Sequence, residues 1–198
     1  EHHRGATHDD DTASNSGAAY VFIRDGTSWS QQAKLKATSP TLNDNLGFGV
    51  SISGDGNYVA VSHLNAGSGV TQDGAVEIFV RSGTSWSFQQ KIQSSDIAAS
   101  DFFGGVGNQP GVIKLNEDGT YLIVGAYGDD TSASAAGAAY IFTRSDTTWS
   151  QQAKIVASDP TENKWFGRAV SISNDGVYAI CGAYRDNTDA GAAYVFVR

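Results

Sequence analysis

The sequence predicts an all-β protein: a propeller-type array of four-stranded antiparallel blades, about three in number, that is not a conventional closed ring by itself. Three observations predict it. One element recurs four times, as GAAYVF at 17–22, GAVEIF at 74–79, GAAYIF at 137–142 and GAAYVF at 191–196. Each repeat holds short runs rich in Val, Ile, Tyr, Phe and Trp, split by turn residues, as strands are. No segment keeps a 3.6-residue apolar period over about ten residues, so helix is expected to be nearly absent.

The repeat is fixed by its offsets. The four starts lie 57, 63 and 54 residues apart. Twelve residues after each of the first three comes Trp29, Trp86 or Trp149, and five residues later Lys34, Lys91 or Lys154. Seventeen residues after each Trp stands an apolar-Gly pair: Leu46-Gly47, Phe103-Gly104 and Phe166-Gly167. Asp55-Gly56, Asp118-Gly119 and Asp175-Gly176 follow. The unit is 57 residues; the longer spacing places an insertion between Gly105 and Gly111 that includes Pro110, and the shorter one a trimmed loop between Arg185 and Ala190. Surface loops tolerate such changes of length. The domain organisation expected is one repeat domain over 1–198, with a partial blade at 1–36, blades at 46–92 and 103–156, and a partial blade at 166–198.

Each unit supplies four strands in order. The first is V-S-I-S or its equivalent, after the apolar-Gly pair. The second starts at Tyr58, Tyr121 or Tyr178, and an Asp-Gly turn joins the two because Gly accepts the positive φ of tight hairpins. The third is the G-A-A-Y-V-F element. Its alternation sets Tyr20 and Phe22 on one face and Ala19, Val21 and Ile23 on the other, so both faces are apolar and covered. The fourth runs from Trp to Lys. Strict alternation puts Trp29, Gln31, Ala33 and Leu35 on one face and Gln32 and Lys34 on the other, a half-solvated outer strand. Four antiparallel strands, repeated and packed face to face, make a propeller blade.

Composition excludes several classes. Thirteen Lys and Arg against 21 Asp and Glu give a net charge of −8, and without a basic cluster nucleic acid is not an expected partner. A single Cys makes no internal disulfide, and no CxxC zinc pattern occurs. No apolar run reaches the ~18 residues of a membrane span. Residue 1 is Glu with no signal-peptide pattern after it, so the chain reads as a processed product or part of a larger protein.

The apolar-Gly pair, the V-S-I-S strand, the D-G turn, the V-G-A segment (Val124 to Ala126) and the G-A-A-Y-V-F strand together resemble FG-GAP repeats over essentially the whole chain. That resemblance implies the β-propeller of integrin α-chains and of many secreted or surface-displayed microbial proteins, the W-S-Q-Q-A-K-L form being similar to the microbial branch. It also implies an extracellular or cell-surface location. The chain departs from the family's calcium-binding hairpin, D-x-D/N-x-D-G-x-x-D. Those positions read Ser51, Ser53, Asp55 and Val59; Lys114, Asn116, Asp118 and Leu122; and Ser171, Ser173, Asp175 and Ala179. Calcium takes six to eight oxygens, several of them carboxylate, so no calcium and no other cofactor is expected. The remaining Asp belongs to the turn.

Acidic residues recur in corresponding loops: Asp9, Asp10 and Asp11; Asp129 and Asp130; Asp186 with Asp189. A rim for a cation or protein partner is one reading; a solvated loop with Asx turns is the simpler one. His2, His3 and His8 near these aspartates are mobile terminal residues before they are metal ligands. Cys181 replaces Val61 and Val124 and reads as a small buried hydrophobe. His63 takes the place of an Ala, with no triad partners in view. Arg24, Arg81, Arg144 and Arg198 end the third strands as a structural repeat position. The three Trp at repeat spacing read as packing; Trp165, outside it, is the better surface-contact candidate. No G-x-S-x-G elbow and no N-glycosylation sequon occurs.

Blade counting leaves the ends open. The N-terminal part is expected to supply only third and fourth strands, its second strand missing because Glu1-His2-His3-Arg4 lacks the apolar pattern. The C-terminal part supplies the first three. The chain is then a segment of a longer propeller, completes a ring with another copy, or links copies through its surplus strand. The expected function is a non-enzymatic extracellular module for protein–protein contact, in adhesion or self-assembly, with a protein or other copies of itself as partner. The alternatives are a fibre subunit linked by strand sharing and a carbohydrate-binding or hydrolytic propeller with glycans as ligands.

Overall fold

A computed structural model describes residues 3–65, 72–105, 112–186 and 190–198, the side chains of 3–5 excepted. The insertion at 106–111 with Pro110, Asp189, His2 and the side chain of His3 lie outside the described residues.

Every named element among the described residues is a strand, and the strands form four antiparallel sheets. The first holds β1 (His3–Ala6), β2 (Ala18–Asp25) and β3 (Ser28–Leu35). The second holds β4 (Val50–Ile52), β5 (Tyr58–His63), β6 (Ala75–Ser82) and β7 (Ser85–Ile92). The third holds β8 (Ile113–Leu115), β9 (Tyr121–Ala126), β10 (Ala138–Ser145) and β11 (Thr148–Ile155). The fourth holds β12 (Phe166–Ile172), β13 (Tyr178–Ala183) and β14 (Ala192–Val197). Strands follow chain order within each sheet, and the main contacts join each sheet to the next, so the array is a partial propeller without closure.

The N-terminus corrects one expectation. β1 occupies the second-strand place, with Gly5 opposite Ala19 and Ala6 opposite Ala18. Ladder pairing uses backbone groups, so a segment without apolar alternation still pairs when its neighbour offers an open edge. The first sheet therefore lacks only its first strand.

The fourth strands correct another. Phe22 pairs with Gln31 and Val21 with Ala33, so Gln32 is an extra residue, a β-bulge. The same shift recurs in β7 and β11. A bulge breaks alternation, so Gln31 and Ala33 do not share a face. Pattern reading assumes strict alternation and misses it.

The core lies between blades. Ala60, Val76 and Ile78 of the second sheet pack against Phe103, Leu115, Val124 and Tyr140 of the third. Ile123 and Ala139 of the third pack against Phe166, Val170, Ala179 and Cys181 of the fourth. Burying each such large side chain stabilises by about 1.5–3 kcal/mol. Phe103 meets Tyr140 and Phe142 edge-on at 5.6 and 5.9 Å, and Phe166 meets Tyr194 and Phe196 at the same distances. The glycine opening each G-A element allows this. Gly137 sits at φ 85° with Phe166 backbone where a Cβ would be, so only Gly lets the two chains meet there.

Candidate functional site

The hairpin aspartates are turn residues. Asp55 Oδ1 accepts from Asn57 N at 2.9 Å, Asp118 Oδ1 from Thr120 N at 3.1 Å and Asp175 Oδ1 from Val177 N at 3.0 Å. The Thr120 and Ser173 hydroxyls hold the Asp118 and Asp175 carboxyls below the usual carboxylate value. The residues present do not fit a calcium ion. Ser51 Oγ is spent accepting from Leu115 N at 2.9 Å, and the four ligand positions of each turn hold one aspartate, itself already used. The recurring arginines serve the same turns: Arg81 Nε donates to Gly56 O at 2.7 Å and Arg144 Nε to Gly119 O at 2.8 Å.

The acidic loops build a second recurring unit. Tyr140 Oη donates to Asp129 Oδ2 at 2.9 Å and to Asp96 Oδ1 at 2.8 Å, while Lys154 Nζ lies 2.7 and 2.6 Å from the same two carboxylates. Asp129 is 2% exposed. In the first sheet Tyr20 donates to Asp9 at 3.1 Å, and Lys34 pairs with Asp9 at 2.6 Å and with Asp11. In the last sheet Tyr194 donates to Asp186 at 3.0 Å and to Asp159 at 2.7 Å. The cation there is Lys164, 3.1 Å from Asp186 and 2.8 Å from Asp159. Ion pairing to Lys34 holds Asp9 below its usual value, and Lys164 does so for Asp159.

The six aspartates singled out from sequence thus divide. Asp9, Asp129 and Asp186 are tied to a Tyr and a Lys of their own blade or its flanking loop. Asp11 pairs with Lys34 and Lys36. Asp10 and Asp130 are exposed, and each caps its loop, accepting from Asn15 N and Ala135 N at 2.6 Å. Among the described residues no three His, Cys, Asp or Glu side chains gather in a metal-holding group.

His63 is buried, its ring nitrogens without a hydrogen-bond partner among the described residues, and burial, aided by Lys91, pulls it down to about 4. Burial pushes the Cys181 thiol up to about 12, an unreactive group.

One cleft was only half legible. Phe102 stacks on Tyr127 at 5.0 Å, Tyr127 meets Trp165 at 5.8 Å, and Trp165 stacks on Tyr184 at 6.1 Å. The row crosses from the third blade to the fourth, and its Phe102, Tyr127 and Trp165 line a cavity of about 330 Å³ together with Asp130 and Arg168. Trp165 stood out in the sequence; its partners did not. The signal was available in the repeat itself, since the first junction carries Asn45 and Leu64 where the last carries Trp165 and Tyr184.

A profile of the FG-GAP repeat matches residues 29–79, 116–142 and 149–196, more than half the chain. The chain belongs to the FG-GAP repeat family. No curated protein sequence matches this FG-GAP chain significantly. Among solved structures, it is similar to one from Bacteroides uniformis named, provisionally, as a 6-phosphogluconolactonase. The identity is 14% and the TM-score 0.51, over 91% of this chain and 48% of that one. This FG-GAP chain thus spans about half the length of that propeller, and at such identity the likeness is one of fold. Among the described residues no helix is long and apolar enough to cross a membrane.

Proposed function

We propose that this chain is a non-enzymatic, extracellular FG-GAP module that acts by protein–protein contact, in self-assembly or adhesion. One observation carries the reading. On the last blade Tyr178, Ile180, Val195 and Val197 stand 54, 44, 68 and 69% exposed on one face. In the third blade the same repeat positions include Tyr121, Ile123 and Ile141, and these pack against the following blade. The exposed face therefore has the pattern of a blade-to-blade contact. The partner that fits is the Tyr20 and Phe22 face of a second copy, since these residues match Tyr194 and Phe196, which cover Ile123 inside the molecule. Such an apolar patch, met by a complementary one elsewhere on the same chain, makes a head-to-tail contact. The reading as non-catalytic is supported by the use of Asp9, Asp129 and Asp186 in ion pairs rather than in an open cleft.

Sedimentation over a wide concentration range tests this. The expected result is concentration-dependent association that Val195→Asp abolishes with the sheet spectrum unchanged. A chain that stays monomeric throughout and binds no cell surface overturns it.

The edge of β14 supports a second reading, a fibre subunit linked by strand sharing. β6 and β10 pair on both sides, whereas among the described residues β14 pairs with β13 on one side. In that reading removal of residues 191–198 abolishes filaments.

A further inference from the structure

The aromatic cleft at the junction of the third and fourth blades is not demanded by the fold. The position of Tyr127 and Tyr184, next after the V-G-A strand, is Leu64 in the first full unit and Thr7 in the N-terminal one. The position of Phe102 and Trp165, just before the apolar-Gly pair, is Asn45 at the first junction. All three residues take a left-handed backbone, with φ of 54° at Asn45, 55° at Phe102 and 56° at Trp165. Asn tolerates that conformation, whereas a bulky aromatic residue is strained in it. The chain thus places its aromatics here against local backbone preference, as functional sites do.

The cleft also holds an unspent donor. The Arg168 guanidinium carbon lies 4.3 Å from the Tyr184 ring centre and 4.9 Å from that of Trp165. Its Nη1 is buried and has no hydrogen-bond partner among the described residues. The corresponding residues at the other two apolar-Gly pairs are Phe48 and Gly105, so this cation too is peculiar to the junction. An unsatisfied buried N–H is costly unless something accepts from it. Asp130 supplies a carboxylate on the same wall.

We propose that this cleft is a glycan subsite that takes one hexopyranose ring. The C–H face of the sugar lies against the aromatic side chains that line the cavity, Phe102, Tyr127 and Trp165. One ring hydroxyl accepts from the Arg168 guanidinium and another donates to Asp130. A hydroxyl both donates and accepts, which matches a wall with one of each. A proline-rich peptide also suits aromatic rows, but its proline residues offer carbonyl acceptors and no N–H to donate to Asp130. The net charge of −8 disfavours long anionic polymers.

Titration of the whole chain, read by Trp fluorescence and calorimetry, tests the site. The probes are neutral gluco-, xylo-, manno- and chito-oligosaccharides, an oligogalacturonate, and a proline-rich peptide. Saturable binding of a sugar is expected, the neutral and uronate arms telling whether Arg168 meets a hydroxyl or a carboxylate. Trp165→Asn with Tyr184→Leu restores the residues of the first junction and should fold normally, while weakening sugar binding about tenfold or more. Arg168→Lys, which keeps the charge and loses the fork, should weaken it as well. Three results overturn the proposal: no saturable sugar binding, equal binding by the double variant, or saturable binding of the peptide alone.

Discussion

Lys164 reaches Asp186 at 3.1 Å from a repeat position that holds an acid in the two preceding units, Asp44 and Asp101. Its ammonium stands 5.2 Å from the Tyr194 ring centre, as Lys154 stands 5.4 Å from that of Tyr140. The described part of the last blade has no fourth strand, and so no equivalent of Lys154. A lysine from the preceding loop performs the same task. Lys164→Ala should therefore destabilise the chain by about 2 kcal/mol, because it leaves Asp186 uncompensated beside Tyr194 while solvent screens the more exposed Asp159. Lys164→Asp, which copies the other units, should cost more. Urea unfolding at low and high salt measures both, with the deficit of the Asp variant shrinking as salt rises.

Tyr140 ties two blades together. Asp129 comes from its own blade, whereas Asp96 follows β7 of the preceding one. Asp159 and Tyr194 repeat the relation one blade later. Tyr140→Phe keeps the ring against Phe103 and removes only the donor. Asp129, buried, then keeps Lys154 and the Thr131 N–H but loses the phenol donor, and a loss of about 1–3 kcal/mol is expected in thermal or denaturant unfolding. The same change at Tyr20 should cost less, since the described residues place no carboxylate of a preceding blade there.

The fold was legible because the chain serves as its own alignment. Four copies of G-A-A-Y-V-F and the Trp and Asp-Gly offsets fix strand order without any knowledge of packing. The bulge at Gln32 was not legible, because an extra residue leaves composition and spacing unchanged across all units. Nor was the pairing of β1, which rests on backbone groups that no side-chain pattern reports. Asp129 and Asp130 show the limit for sites. They are adjacent and chemically alike, yet one is buried under Tyr140 and the other caps an exposed turn; only the third dimension separates them.

The bulge has a use that can be measured. The extra residue Gln32 accepts from Trp86 Nε1 at 2.8 Å, and Gln89 accepts from Trp149 Nε1 at 2.9 Å. Gln32 and Gln89 thus each receive the indole of the following blade. Trp149 is buried, so Gln89→Ala strands an N–H away from water and should cost about 1–3 kcal/mol. Trp149→Phe removes that N–H together with part of the ring. In a double-mutant cycle the two changes should cost about 1 kcal/mol less together than separately. Strict additivity would show that the bond holds nothing.

His63 should make stability depend on pH between about 4 and 6.5. Burial is the main cause of its lowered value, Lys91 adds to it, and Asp44 and Asp73 oppose it. The imidazole is neutral in the fold, with its pKa down from 6.5 to about 4. In the unfolded chain it takes a proton once the pH falls below 6.5. Over that interval the unfolded state binds more protons, so stability rises with pH and is lost on acidification. The full span amounts to about 3 kcal/mol. Asp101 works against it. Burial first, then the nearby Asp129 and Asp96, raises its carboxyl from 3.8 to about 6, so its contribution is favourable in acid and is lost as the pH rises through that range. In the wild-type profile between pH 4 and 6 the His63 contribution is consequently opposed by that of Asp101 and by that of Glu77, whose carboxyl burial raises. Replacing His63 by Ala, the residue at the matching positions 126 and 183, should leave a chain that becomes more stable on acidification across that interval. Asp101→Asn should do the opposite and expose the loss due to His63. Unfolding free energies for the three proteins from pH 4 to 7.5 give the comparison, and parallel profiles would mean that neither buried group titrates differently in the folded chain.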